Sequence, residues 1–191
     1  MIRLVSKLKP KHFKEMAAIE ARYYSDEFIT DWQDAYDWYL YSEDTCVAVA
    51  DHDKVIAFMN LFPISERFYG LIATGGSHDG FLDLSDVLRI RDDASGDYSL
   101  FLSCLAVHPE YRKSQGLNMV IKEYVSRYRA YQLHGARFNS VITHNVTRDG
   151  ERFSERMAFE HVLSMNNKTT VSVAEFERFM ACMSLRGGSS Q

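Results

Sequence analysis

The sequence predicts an α/β protein with a mixed sheet. Three observations support this: two apolar runs joined by a short polar turn, an apolar run that passes through a short loop into an amphipathic segment, and a closing strand–helix–strand stretch. Strands that alternate with helices in this way indicate a layered α/β domain. The 191 residues are enough to bury a core without disulfides or metals. We expect one domain over residues 1–186 and a flexible tail over 187–191.

The first half of the chain predicts a strand, two helices and a hairpin. A short strand is expected at Ile2–Val5, and Pro10 opens a helix, because proline is favoured in the first helical turn. The aromatic-rich stretch Thr30–Tyr41 predicts a second helix. The hairpin consists of the strands Thr45–Ala50 and Val55–Phe62 and the turn Asp51–Lys54 between them.

The second half predicts alternating strands and helices. Phe101–Val107 is an apolar strand, and apolar residues recur at helical spacing from Leu117 to Tyr128. The elements expected after it are a strand at Phe138–Thr143, a short helix from Asp149 or Gly150 to Met157, strands at Phe159–Ser164 and Thr169–Val173, and a final helix at Ala174–Met183.

Composition argues against several classes of function. The net charge of −4 gives no general affinity for nucleic acid, which requires a basic surface. The histidines show no metal-ligand spacing, so no metal is expected. No apolar run approaches the roughly 18 residues of a membrane span. The three cysteines are odd in number and two lie in apolar runs, which predicts free thiols and a cytoplasmic protein.

The connection after the strand Phe101–Val107 has the character of an anion site. Pro109 ends the strand, a short loop with Arg112 and Lys113 follows, and a helix begins near Gly116. A helix that begins directly after such a loop presents unpaired backbone N–H groups and the positive end of its dipole. A phosphate or pyrophosphate fits this geometry, although an ordinary strand–helix connection capped at Asn118 has the same layout.

Two segments carry a family resemblance. Leu105–Arg112, followed by Gly116-Leu-Asn118, resembles the acetyl-CoA-binding motif of the GNAT superfamily of N-acetyltransferases, Val-x-Pro-x-x-Arg/Gln-x-x-Gly-x-Gly/Ala. The spacing is one residue longer than the motif if Arg112 is the anchor, or regular if Lys113 takes the place of Arg/Gln. Asn118 stands at the last small position. Phe153–Phe159 resembles the family's Leu-Tyr-Glu-Lys-Leu-Gly-Phe, with Ser154 where the family has tyrosine. The resemblance implies a GNAT-like mixed, mostly antiparallel central sheet flanked by helices.

The resemblance also implies acetyl-CoA as the acyl-donor cosubstrate. The strand edge would pair with the pantetheine arm, one of its N–H groups would stabilise the oxyanion, and the loop would hold the phosphates, with Gly116 allowing close backbone approach. The cofactor-binding residues implied in this way are Leu105, Ala106, Val107, Arg112, Lys113, Ser114, Gln115, Gly116, Leu117, Asn118 and Asn145.

The long connection Pro63–Asp97 is expected to be an insertion beside the acceptor. It contains a short helical candidate at Leu84–Ile90 and many carboxylates. Two interpretations stay open: a mobile lid whose acidic face attracts a cationic amine, or a solvated surface loop.

The general base is the least defined part of the site. The family often has Glu or His on the motif strand, and strand alternation from Val107 gives Phe101 and Ser103 at those positions. Ser103, Glu66 and His78 are the candidate catalytic residues, and ordered water or a low-pKa amine are the alternatives. His108 is expected at the surface.

The predicted function is transfer of an acyl group from CoA to a primary amine within a ternary complex. The alternative is a GNAT-fold module that binds acyl-CoA or a protein partner without catalysis. An enzyme acting on aminoacylated tRNA is disfavoured by the acidic balance. Small molecule, peptide and protein acceptors all stay open. The aromatic stretch Trp32–Tyr41 could serve as an oligomer contact, although core packing is the commoner use of such residues.

Overall fold

The computed structural model describes residues 1–76, 81–90 and 96–188. The strands in these ranges are β1 Ile2–Leu4, β2 Val47–Asp51, β3 Lys54–Ile64, β4 Gly96–Val107, β5 Ala136–Asn145, β6 Glu160–Ser164 and β7 Thr170–Glu175. The helices are α1 Pro10–Glu20, α2 Trp32–Tyr41, α3 Glu66–Ala73, α4 Gly116–Leu133, α5 Arg148–Arg156 and α6 Phe176–Gly188. The predicted element order is confirmed with one addition, α3. Residues 187 and 188, expected in a loose tail, belong to α6.

One sheet contains all seven strands, in the order β1-β2-β3-β4-β5-β7-β6. β4 and β5 are parallel, and every other neighbouring pair is antiparallel. A parallel pair needs a crossover connection, which α4 supplies between β4 and β5. The prediction of a mixed, mostly antiparallel sheet flanked by helices is confirmed.

Helices pack on both faces of the sheet. On one face, Tyr124 of α4 and Phe179 of α6 are fully buried with Leu100 of β4. On the other face, Phe13 of α1 is buried with Phe58 of β3. Each large apolar side chain buried in this way contributes about 1.5–3 kcal/mol to stability. The two-sided core therefore fixes the position of the central strands.

β4 contains a β-bulge at Ser103. Cys104 pairs with Asn60 of β3, whereas Leu102 pairs with Leu61, the residue that directly follows Asn60, so Ser103 is the extra residue on β4. A bulge interrupts the alternation of side chains along a strand and bends it locally. The alternation of side chains between the two faces of the sheet is therefore not continuous from the residues before Ser103 to the residues after it.

The bulge overturns one sequence-based prediction. Leu105 and Val107 pack on the α4 side of the sheet, whereas Phe101 is buried on the opposite side with Phe62 and Phe68. The sequence analysis assumed that side chains alternate regularly from Val107 back to Phe101, which would place both on the same face of the sheet. That prediction is wrong for Phe101. Ser103 occupies the bulge itself.

The sheet opens between β4 and β5 directly after Leu102. The two strands pair from Gly96 and Ala136 as far as Leu102 and Thr143. Beyond that point the pairing of β4 continues only with β3, and the pairing of β5 only with β7. The carboxyl ends of the two parallel strands therefore diverge and leave a cleft.

The expected insertion Pro63–Asp97 contains a packed helix. Its first residues belong to β3 and its last to β4, and α3 places Phe68 and Ile72 in the core with no exposed surface. Of the helical candidate Leu84–Ile90, only a 3₁₀ turn at Leu84–Asp86 forms. The interpretation of the whole segment as a mobile lid is wrong, because α3 is part of the sheet packing.

Asp86, near the end of the connection, is hydrogen bonded to residues at the start of α3. Its carboxylate is 2% exposed and accepts hydrogen bonds from Ser65 Oγ at 2.5 Å and from the Arg67 guanidinium. The Ser65 hydroxyl also accepts the Phe68 N–H at 3.1 Å, which caps α3. Part of the predicted acidic face is therefore engaged in a structural ion pair.

Among the helices of the described residues, none is long and apolar enough to cross a membrane.

Candidate functional site

A cavity of about 790 Å³ lies where β4 and β5 separate. Its walls come from the residues after α1, from β4 from Leu102 onward, from the end of β5 and from α5, with single residues before α4, on α4 and on α6: Arg112, Leu117 and Arg186. A volume of this size is typical of sites for small molecules and cofactors. Of the predicted site residues, those that line it are Ser103, Leu105, Ala106, Val107, Arg112, Leu117 and Asn145.

The edge of β4 offers backbone groups to the cavity. The His108 N–H donates to a β3 carbonyl at 2.8 Å, so the backbone groups of Val107 point to the other side, because alternate residues of an antiparallel strand face opposite neighbours. The Val107 carbonyl accepts a hydrogen bond from Tyr23 Oη at 2.7 Å. By the same alternation the N–H of Leu105 faces the cavity, and the backbone of Ala106 faces β3.

The loop before α4 contributes less side-chain contact than the sequence predicted. A 3₁₀ turn covers Pro109–Tyr111, and α4 begins at Gly116. Arg112 and Leu117 line the cavity. The predicted residues of the described chain that do not line it are Lys113, Ser114, Gln115, Gly116 and Asn118. The first turn of α4 still contributes the positive end of its dipole.

Gly116 allows close packing of α4 on the sheet. A Cβ at this position would lie 3.3 Å from Ala57 Cβ and 3.3 Å from Ile56 Cδ1, both on β3. Its N–H donates to Ser114 Oγ at 3.2 Å. The glycine thus allows α4 to approach the sheet closely. The expected approach of the cofactor to its backbone stays a prediction.

Positive charge dominates the cavity. In the described part of the chain, one carboxylate lines it, Asp149, against six arginines: Arg22, Arg112, Arg148, Arg152, Arg156 and Arg186. Three of these arginines lie on α5 at intervals of four residues, which places them along one side of the helix. Burial and the charge of Arg156 lower the pKa of Arg186. In a chain with a net charge of −4, this concentration of guanidinium groups indicates an anionic ligand.

Asp149 opposes the binding of such an anion. Its carboxylate lies 3.7 Å from Arg112 and 3.6 Å from Arg152, and it is 69% exposed. We expect Asp149→Asn to tighten CoA binding up to about fivefold, because a solvated ion pair is worth only about 0–1 kcal/mol. Calorimetric titration at low and high salt measures this effect, with Asp53→Asn on the exposed β2–β3 turn as the control. Weaker binding by Asp149→Asn would contradict the competition.

Asn145 and Ser154 are hydrogen bonded to each other. Ser154 Oγ donates to Asn145 Oδ1 at 2.7 Å, and Asn145 Nδ2 donates to Ser172 Oγ at 3.3 Å. Asn145 lines the cavity as predicted, but its side chain connects β5 to α5 and β7. Ser154, which replaces the family's tyrosine, has its one proton directed to Asn145.

The three predicted catalytic residues have different outcomes. Ser103 lies in the cavity at the bulge. Glu66 is the exposed first residue of α3 and does not line the cavity. His78 lies outside the described residues. His108, expected at the surface, is 4% exposed, and burial lowers its pKa.

His144 is the titratable residue of the site that the sequence did not suggest. It follows Thr143, the last residue of β5 that pairs with β4, and it lines the cavity at 7% exposure. The Phe28 ring stands edge-on to its imidazole, with centroids 5.8 Å apart. The signal available in the sequence was only a histidine at the end of an apolar strand.

Comparison by sequence finds no relative: no protein-family model and no curated protein matches the chain. Solved structures do match. A protein of Desulfovibrio desulfuricans described as an acetyltransferase of the GNAT family has 15% identity and a TM-score of 0.56, with 92% of this chain and 99% of that chain covered. The NatC complex bound to Gag peptide and CoA has 9% identity and a TM-score of 0.58, with 92% and 98% covered.

A GNAT-like decarboxylase, GphF, in complex with isobutyryl-CoA has 12% identity and a TM-score of 0.56, with 92% and 98% of the two chains covered. These similarities each extend over 92% of this chain. They confirm, at the level of the fold, the resemblance that the sequence predicted. This chain therefore has the GNAT fold.

Proposed function

We propose that this protein transfers an acyl group from CoA to a primary amine, and that this acyl group is acetyl. The observation that carries the proposal is the cavity between the diverging ends of β4 and β5, lined by six arginines and one carboxylate of the described chain. CoA combines phosphate groups with an extended amide-containing arm. Guanidinium groups suit the phosphates, and the unpaired edge of β4 suits the arm.

Catalysis follows from a small number of groups. The pantetheine arm lies along the edge of β4, and the N–H of Leu105 or Val107 donates to the thioester oxygen as negative charge develops on it. Holding donor and acceptor together in one ternary complex supplies proximity. Ser154 is committed to Asn145, and the thiolate leaves without an acid, since a free thiol has a pKa of about 8.5.

The acceptor is defined only by its class, a primary amine. The described carboxylates of the connection Pro63–Asp97 do not line the cavity: Glu66, Asp83, Asp86 and Asp97. Arg67 lies near Asp83 and Asp86, and Arg137 pairs with Asp97. A preference for a cationic acceptor therefore has no support from these groups. The thiol groups of Cys46 and Cys104 are buried, and we propose a cytoplasmic location for the protein.

Thiol release tests the proposal. The protein is incubated with acetyl-, propionyl- or isobutyryl-CoA and with amines of three kinds: small polyamines, peptides with a free N-terminus, and lysine-containing peptides. We expect thiol release that depends on one class of amine, with the acylated amine identified by mass spectrometry. Tight CoA binding without release that depends on any amine would instead favour the non-catalytic binding module.

A further inference from the structure

We propose that Arg156 and Arg186 form a binding subsite for a phosphate monoester, the 3′-phosphate of CoA, and that the protein therefore selects CoA over dephospho-CoA. This inference rests on the proposed function, because it assumes that the cavity holds CoA. The two arginines come from different helices: Arg156 lies in the last turn of α5 and Arg186 in the last turn of α6. Both side chains line the cavity.

The Phe153 ring brings the two arginines together. The guanidinium carbon of Arg186 lies 5.8 Å from the centroid of the Phe153 ring, which is a cation–π contact. Phe153 and Arg156 are three residues apart on α5, so their side chains are neighbours on the helix surface. The stacked position of Arg186 therefore brings its guanidinium group toward Arg156, and the charge of Arg156 acts on it.

The positive charge of this pair is not balanced by a nearby acid. Arg112 lies 3.7 Å from Asp149, and Arg152 lies 3.6 Å from the same carboxylate. By contrast, neither Arg156 nor Arg186 has a carboxylate within 4.0 Å among the described residues. Burial and the charge of Arg156 lower the pKa of Arg186. An anion bound between the two guanidinium groups would replace their mutual repulsion by attraction.

A separate position for negative charge lies at the other end of α5. Tyr23 Oη donates to the Val107 carbonyl at the end of β4, and the Arg112 guanidinium carbon lies 5.2 Å from the Tyr23 ring centroid. Arg112 also lies 3.7 Å from Asp149 in the first turn of α5. Arg156 follows Asp149 by seven residues, which corresponds to about 10 Å along the helix axis. The cavity therefore offers two places for anionic groups.

CoA carries two kinds of phosphate that match these two places. A diphosphate joins the pantetheine arm to the ribose, and a phosphate monoester is attached at the ribose 3′ oxygen. With the arm along the edge of β4, the diphosphate lies beside Arg112, and the adenosine continues along α5 toward Arg156 and Arg186. A phosphate monoester carries a charge of about −1.5 to −2 at neutral pH. Paired guanidinium groups suit such a dense charge, so the monoester belongs at the pair.

The test compares CoA with dephospho-CoA, which differ by this single phosphate, in calorimetric titrations of the unmodified and variant proteins. We expect the unmodified protein to bind CoA about 20-fold more tightly than dephospho-CoA. Arg156→Gln and Arg186→Gln should each weaken CoA binding about fivefold and leave dephospho-CoA binding within about twofold. The double variant should bind the two ligands with affinities within about twofold of each other.

Two further arginines serve as controls. Arg178 lies on α6 like Arg186, but it pairs with Glu160 and does not line the cavity. Arg178→Gln should therefore leave both affinities unchanged. Arg112→Gln, at the other end of α5, should weaken both ligands by the same factor and so preserve the preference for CoA. Circular dichroism establishes that each variant is folded.

The outcomes separate the subsite from the proposed function. Equal affinities for CoA and dephospho-CoA in the unmodified protein would overturn the subsite and leave CoA binding intact. A preference for CoA that survives undiminished in both Arg156→Gln and Arg186→Gln would also overturn it, because the monoester would then lie elsewhere. A folded protein that binds neither ligand would contradict the proposed function, and the subsite with it.

Discussion

Replacing Arg148, Arg152 and Arg156 together by glutamine is expected to weaken acetyl-CoA binding by about 30-fold. The three side chains are exposed on α5 and line the cavity, so their removal changes the charge of the site without disturbing the core. A loss of about 2 kcal/mol, shared among three solvated charge-assisted contacts, corresponds to this factor. Calorimetric titration of the variant against the unmodified protein measures it.

The control for this experiment removes three arginines outside the cavity. Arg129, Arg137 and Arg178 pair with Glu177, Asp97 and Glu160 respectively and do not line the cavity. Their replacement by glutamine should leave acetyl-CoA affinity within about twofold, since exposed pairs far from a ligand are screened. Equal losses in the two triple variants would mean that net charge, rather than the α5 arginines, governs binding.

Phe68→Ala is expected to lower the free energy of unfolding by about 3–5 kcal/mol. Phe68 has no exposed surface, and its ring packs 5.9 Å from that of Phe101 on the central strand β4. Truncation would leave a cavity between α3 and the sheet. Urea unfolding monitored by circular dichroism gives the value.

Phe81→Ala provides a matched truncation in the same stretch of sequence. The Phe81 side chain is 67% exposed, so its loss should change stability by less than about 0.5 kcal/mol. If Phe68→Ala costs as little as Phe81→Ala, α3 does not support the core, and the connection behaves as a mobile lid, one of the two interpretations that the sequence left open.

The strands and helices of the sheet followed from local patterns in the sequence. The hairpin of β2 and β3 is set by two apolar runs and a polar turn, and α4 by an apolar stripe from Leu117 to Tyr128. Such patterns act within ten or twenty residues. The helix α3 was missed because it is short and contains Gly70, although Ser65, Phe68 and Ile72 have the spacing of a capped amphipathic helix.

The site was less accessible to prediction because its geometry depends on long-range pairing. The bulge at Ser103 is visible only in the register between β3 and β4, and it changes the face of the sheet on which the side chains before it lie. Gly116 fits the expected motif, yet its close neighbours are on β3. The hydrogen bond between His144 and Thr169 joins residues 25 positions apart, so no local pattern could reveal it.

The binding of CoA is the central claim, and calorimetric titration of the protein with acetyl-CoA tests it most directly. Dephospho-CoA and ATP serve as controls that separate recognition of the whole cofactor from attraction of any phosphate. The arrangement of arginines and strand edge predicts one site per chain with a micromolar Kd for acetyl-CoA and weaker binding of ATP. A folded protein that binds none of the three, or binds ATP as tightly as acetyl-CoA, would contradict the assignment of the cavity.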